Sequence, residues 1–235
     1  FREQMTAEVT AACEGALQAG STEIWVKDAH STARNLIASR LPREVRLIRG
    51  WSGHPFSMVQ ELDENFQALL MIGYHSWAGS AANPLAHTVS GKIAGLKING
   101  CNASELHMYA YAAALVNVPL VFVSGDKGIC EEATLLVPNI STLAVKQGSG
   151  NATVNIHPHL AVERIRDGVQ AALQRDVSKC RLPRPEHFTV DITYKDHAMA
   201  RKASFFPGAV STDPHTIQFK SNDYFEVLRL FDCVL

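Results

Sequence analysis

The stretch "VPLVFVSGD", Val118 to Asp126, decides the fold. It is a continuous apolar run of strand length, and a run of this kind is expected for a strand buried on both sides within a parallel sheet. Helical segments flank it, "ASELHMYAYAAALVN" (103–117) before and "KGICEEATLLVP" (127–138) after. Further out, "STEIWVKDAH" (21–30), "REVRLIRG" (43–50), "QALLMIG" (67–73) and "STLAVKQG" (141–148) read as strands, and "PHLAVERIRDGVQAALQRD" (158–176) as an amphipathic helix. The opening "FREQMTAEVTAACEGALQAG" is an Ala-rich helix stopped by Gly20, and an alternating fold places a strand before it. "KIAGLKING" (92–100) reads as a hairpin. The Pro-rich, basic segment "SKCRLPRPEH" (178–187) ends the long helix, and beyond it "FTVDITY" and "TIQFKS" are strands and "DYFEVLRLFDCVL" a helix. The expected architecture is α/β, a mostly parallel sheet with helices on both faces over residues 1–177, followed by a smaller C-terminal α+β region, 178–235.

Composition narrows the function. A chain of 235 residues, 46% hydrophobic and 19% charged, has the makeup of a globular protein with a sizeable core. Lys and Arg number 22 against 23 Asp and Glu, so no long-range field favours nucleic acid or a membrane surface. The five cysteines lack CxxC spacing, which argues against a disulfide framework or a thiolate zinc site and for a reducing, cytoplasmic setting. The longest apolar runs fall far short of the roughly 20 residues that span a bilayer.

Several polar residues share one kind of position. Asp28 and His30, His75, and Ser124 and Asp126 all fall where an apolar strand stops, and in open α/β sheets ligand sites lie beyond the carboxyl ends of the strands. Between His75 and His87 the segment "SWAGSAANPLAHTVSG" (76–91) reads as a long loop, rich in small and turn-forming residues. Imidazoles and carboxylates together suit a metal such as zinc. Each has a plainer role open to it. A strand-end His can be a hydrogen-bonded structural residue, and Asp28 or Asp126 can cap a turn or helix. Glu105 can serve a capping box in which Asn102 is the cap. His157 and His159 read as a helix-entry loop, and Cys130 as inert. Trp77, Asn83 and Leu85 are loop residues that could line a pocket.

The blocks "VKDAHSTARNL", "PFSMVQELDENFQALLMIGYHSWAG", "AHTVSG" and "ASELHMYAYAAALVNVPLVFVSGD", then "NISTLAVKQ", resemble in order the zinc-dependent D-aminopeptidase family, the dipeptide-operon type of metallopeptidase. The resemblance implies release of an amino-terminal residue, D-amino acids included, from short peptides or amides. It implies two zinc ions per chain and a ring-like homo-oligomer. It implies His30, His75 and Glu105 as metal ligands and His87 as nucleophile or base. The family's Asp-x-Glu-Gly strand, which supplies two further carboxylates, has no counterpart before Met5, and no residue here is assigned to it. A non-catalytic small-molecule or peptide-binding module that has lost the metal centre, and a metal-dependent amidase of other specificity, are the alternative functions on the same scaffold.

Overall fold

A computed structural model describes all 235 residues, Phe1–Leu235. Helix α1 (Arg2–Gln18) leads into β1 (Ile24–Lys27) and β2 (Val45–Ile48), which pair in parallel as a separate two-stranded sheet. The chain continues through β3 (Leu69–Tyr74), β4 (Ile93–Ile98), β5 (Cys101–Asn102), α2 (Glu105–Leu115), β6 (Leu120–Asp126) and α3 (Lys127–Leu136). Then follow β7 (Ser141–Ser149), β8 (Ala152–Asn155), α4 (Pro158–Leu173), β9 (Phe188–Tyr194), α5 (His197–Ala203), β10 (Val210–Asp213), β11 (Thr216–Ser221) and α6 (Tyr224–Val234).

The apolar run ending at Asp126 is β6, parallel to β3 on one side and β7 on the other, with every residue buried. Full burial requires cover on both faces. The α1–α4 pair supplies one layer and α2 with α3 the other, as right-handed crossovers dictate. The layers are tight. Gly168 of α4 sits against the Phe122 ring, and Gly15 of α1 leaves no room for a Cβ beside the Arg166 carbonyl. Strand β8, exposed along its length, adds an antiparallel edge that the sequence did not reveal.

A second, antiparallel sheet has the order β10-β11-β9-β4-β5. Burial alternates along β9, as expected of a sheet with one face on the core. The sheet draws strands from both sides of the 178–187 connector, since β4 pairs with β9, and one core of 43 buried residues runs through both parts of the chain. The expected hairpin is displaced by a few residues. "KIAGLKING" forms β4 and a turn, with Asn99 and Gly100 at φ of +51° and +82°, and the return limb is β5. Two positive φ values in succession suit an Asn-Gly pair. The Asn99 side chain pins this turn to the start of β9, accepting from Thr189 N–H and donating to the His187 carbonyl. The Tyr224 hydroxyl donates to the Met108 carbonyl at 2.7 Å, fastening α6 to α2.

Candidate functional site

The carboxyl ends of β1, β3 and β6 are where the polar residues gather. His75 directly follows β3, His87 lies in the loop after it, and Glu105 is the first residue of α2. Their donor atoms lie within 4.8 Å of one another. His75 Nε2 is 3.9 Å from Glu105 Oε2, and His87 Nε2 is 3.9 Å from Glu105 Oε1. The two imidazole rings lie 4.3 Å apart between centroids.

The other ring nitrogens fix the tautomers. His75 Nδ1 is 3.1 Å from the Ser76 carbonyl, and His87 Nδ1 is 2.8 Å from the Leu85 carbonyl. A carbonyl only accepts, so each Nδ1 carries its hydrogen and Nε2 is the ring nitrogen turned toward Glu105. Two ring nitrogens and a carboxylate thus converge. His75 Nε2 and Glu105 Oε2, 3.9 Å apart, are ligand types that one zinc ion can share at bonds of about 2.0–2.2 Å each. The donor set fits zinc.

The loop bearing His87 is held from beneath. Asp126, fully buried, caps α3 by accepting from Ile129 N–H at 2.8 Å. It also accepts from Ser76 N–H at 2.8 Å, from the Ser76 hydroxyl at 2.5 Å and from the Asn83 amide at 3.0 Å. Asn83 Oδ1 in turn accepts from Leu85 N–H, two residues before His87. Gly128 leaves the room that Ser76 and Ala82 occupy. Beyond His87, Ser90 N–H bonds the Thr88 carbonyl across Val89, whose φ is +59°. A β-branched residue is strained there, by about 1–3 kcal/mol. The strain has a use, because the turn aims Val89 N–H at Glu105 Oε1, 2.7 Å away.

Glu105 is therefore not part of a capping box. The cap of α2 is Ser104, whose hydroxyl accepts from His107 N–H, and the Glu105 carboxylate turns to the histidines and to Val89. Ser104 is itself held by buried Glu132, which accepts from its N–H at 3.2 Å and its hydroxyl at 2.9 Å. Tyr74, next to His75, is pushed well above the usual phenol range, first by burial and then by the Glu105 and Tyr109 charges, and so stays neutral.

His30 lies outside the donor group. Its imidazole is exposed on the wall of the cavity that His87 and Glu105 also line, about 520 Å³ in volume. Asp28 is structural in its bonding. Its carboxylate accepts from the backbone of Asn35 and Leu36 and from the Asn35 amide. Burial pushes this carboxyl up, yet the bonds from Leu36 and Asn35 outweigh it and hold it below the ordinary range. His157 caps α4, so the His157/His159 pair is an entry loop as expected. The Cys130 thiol is pushed up to about 12, by burial first and then by Asp126, in keeping with an inert residue. Trp77, Asn83 and Leu85 do not line the cavity, whereas Trp51, His54, Met58, Val89 and Asp232 do, and no sequence signal marked them.

Comparisons with known proteins show the family and the fold. The sequence matches a family described as D-aminopeptidase over residues 1–233. It is 33% identical over 227 residues to a D-aminopeptidase of Bacillus subtilis (strain 168), covering 96% of this chain and 82% of that one. The fold is similar, with a TM-score of 0.92 and 31% identity, to a solved structure covering 99% of this chain and 85% of that one. That structure is described as the Zn-dependent D-aminopeptidase DppA from Bacillus subtilis, a self-compartmentalizing protease.

Proposed function

The chain belongs to the D-aminopeptidase family of peptidases, and from that premise we propose that it is a zinc-dependent aminopeptidase that removes the first residue, D-amino acids included, from short peptides or amides. The observation that carries the reading is the convergence of two Nε2 lone pairs and the Glu105 carboxylate at the carboxyl ends of parallel strands. His75 and Glu105 would hold zinc, joined by His30 from the cavity wall, and two ions per chain are part of the proposal. When bound, zinc would supply Lewis-acid polarisation of the scissile carbonyl.

His87 performs the proton transfers. With Nδ1–H anchored on the Leu85 carbonyl, its Nε2 accepts a proton from the attacking water and delivers it to the leaving amine, work suited to a group whose ordinary pKa is roughly 6.5. Glu105 is kept from rotating by Val89 N–H. Tyr74, neutral beside it, adds no competing charge. A ring-like homo-oligomer and a cytoplasmic setting complete the proposal. The description of the Bacillus subtilis relative as self-compartmentalizing supports the first of these for that protein.

The test is His87→Ala. Aminoacyl-amide hydrolysis is expected to fall by about 10²–10⁴-fold while zinc per chain, measured by elemental analysis, is unchanged. His75→Ala is expected to lose zinc as well as activity. Retained turnover in a zinc-loaded His87→Ala protein would show that His87 is not the proton-transfer group.

A further inference from the structure

Two residues of the donor group have a serine beside them in the chain, Ser76 after His75 and Ser104 before Glu105. Both serines are fully buried. Each is gripped twice by a single carboxylate. Asp126 accepts from the N–H and the hydroxyl of Ser76 at 2.8 and 2.5 Å, and Glu132 accepts from the N–H and the hydroxyl of Ser104 at 3.2 and 2.9 Å. Both carboxylates come from one helix, since Asp126 caps α3 and Glu132 lies in its second turn.

The two grips differ in one respect. Asp126 has donors on both oxygens, whereas both bonds from Ser104 fall on Glu132 Oε1, and no protein group donates to the buried Oε2. His107 Nδ1 lies 3.6 Å from Oε1, too far for a hydrogen bond. A buried carboxylate with one oxygen unmatched weakens a fold, and an apolar side chain of similar size often serves stability as well or better. What Glu132 adds is its hold on Ser104.

That hold fixes the start of α2. The Ser104 hydroxyl accepts from His107 N–H as the helix cap while its own hydrogen goes to Glu132, so its rotation is set. The backbone at Ser104 cannot turn without giving up its N–H bond to the same oxygen. Glu105 is the next residue, and the direction of its side chain follows from that backbone, with Val89 N–H holding the far end.

We propose that Glu132 is a positioning residue for the donor group, acting through Ser104 on Glu105 as Asp126 acts through Ser76 on His75, so that α3 sets the spacing of two metal ligands. The inference rests on the zinc reading of the site.

The experiment is a competitive zinc titration of the full chain at 25 °C, with the Tm of the metal-free protein measured on the same samples. In Glu132→Leu zinc affinity is expected to fall by about 10–100-fold, the scale for groups that orient ligands. Glu132→Gln keeps an acceptor oxygen for Ser104 and is expected to recover most of that loss. Ser104→Ala should lose part of it, and Glu132→Leu combined with Ser104→Ala should bind zinc no more weakly than Glu132→Leu alone, because the two residues act as one unit. A Glu132 with only a structural role would lower Tm in Glu132→Leu and leave zinc affinity unchanged, which overturns the inference. Where Glu132→Leu does not fold, unchanged zinc affinity in Ser104→Ala overturns it. Glu132→Gln as weak as Glu132→Leu, or losses that add in the double variant, would likewise overturn the route through Ser104. A wild type that binds no zinc overturns the zinc reading and this inference with it.

Discussion

Replacing Asp126 with Asn changes one oxygen into an NH₂ group and tests whether this carboxylate organises the site from below. Asp126 Oδ1 receives the Ser76 hydroxyl and Ile129 N–H, and Oδ2 receives Ser76 N–H and the Asn83 amide. All four partners donate, so the new NH₂ faces donors wherever it points. The least costly orientation puts it at the Oδ1 position, where the Ser76 hydroxyl can rotate and accept. Ile129 N–H is then left without a partner in a fully buried place. An orphaned buried donor costs about 1–3 kcal/mol, and the remaining bonds lose their ionic assistance. The sum is about 3 kcal/mol. For a chain of this size each kcal/mol lowers Tm by about 2–4 °C, so Asp126→Asn is expected to melt roughly 6–12 °C below wild type when both are stripped with a chelator. The loop effect is separable. Asp126 also holds Ser76, whose carbonyl orients the ligand His75, so zinc affinity should fall by about 10–100-fold, the usual scale for groups that orient ligands. Differential scanning calorimetry of the metal-free proteins and a competitive zinc titration read the two effects. A Tm within 2 °C of wild type together with unaltered zinc affinity would refute the claim that Asp126 positions the loop.

Two further outcomes follow from groups whose titration is shifted. Asp28 has a folded-state pKa below its ordinary value, so protons bind the unfolded chain more readily. Its contribution is present above about pH 4 and is lost as pH falls through the folded-state value. Acid unfolding of Asp28→Asn, followed by circular dichroism between pH 5 and pH 2, should show a shallower pH dependence than wild type, and parallel curves would refute the assignment. Cys101 and Cys233 are exposed while Cys13, Cys130 and Cys180 are buried, with Cys13 pushed up to about 12 mainly by burial. A thiol reagent at pH 8 is therefore expected to label two cysteines quickly in the native protein and all five in denaturant, and fast labelling of Cys130 would contradict the packing described.

What could be read from the sequence was what burial writes into it. Strand β6 stands out because both its faces are covered, so an unbroken apolar run survives in the residues. Strands β8 and β10 are exposed along their whole length and leave no such mark. The alternation in β9 reveals which face is buried but not that this strand pairs with β4, some ninety residues earlier. The connector at 178–187 looked like a boundary because its prolines cannot continue a helix, although strands on either side of it share one sheet. Trp51 and Asp232 reach the cavity from a loop and from the last helix, through long-range packing that no local pattern encodes.

The polar residues at the strand ends looked alike in the sequence, and their hydrogen bonding separates them. Asp28 and Asp126 have their oxygens occupied by N–H and O–H donors from their own surroundings. A carboxylate so satisfied has little left for a ligand and spends its charge on holding a loop. His75 and His87 use their Nδ1 hydrogens on backbone carbonyls, which leaves both Nε2 lone pairs turned toward Glu105. Glu105 takes one backbone N–H, from a strained turn, and keeps its other oxygen open toward His75. Ligand atoms gathered in this way can take a cation between them. Function at this centre therefore follows from which strand-end residues the fold leaves unsatisfied, a property fixed by Ser76, Leu85 and Val89 as much as by the histidines themselves.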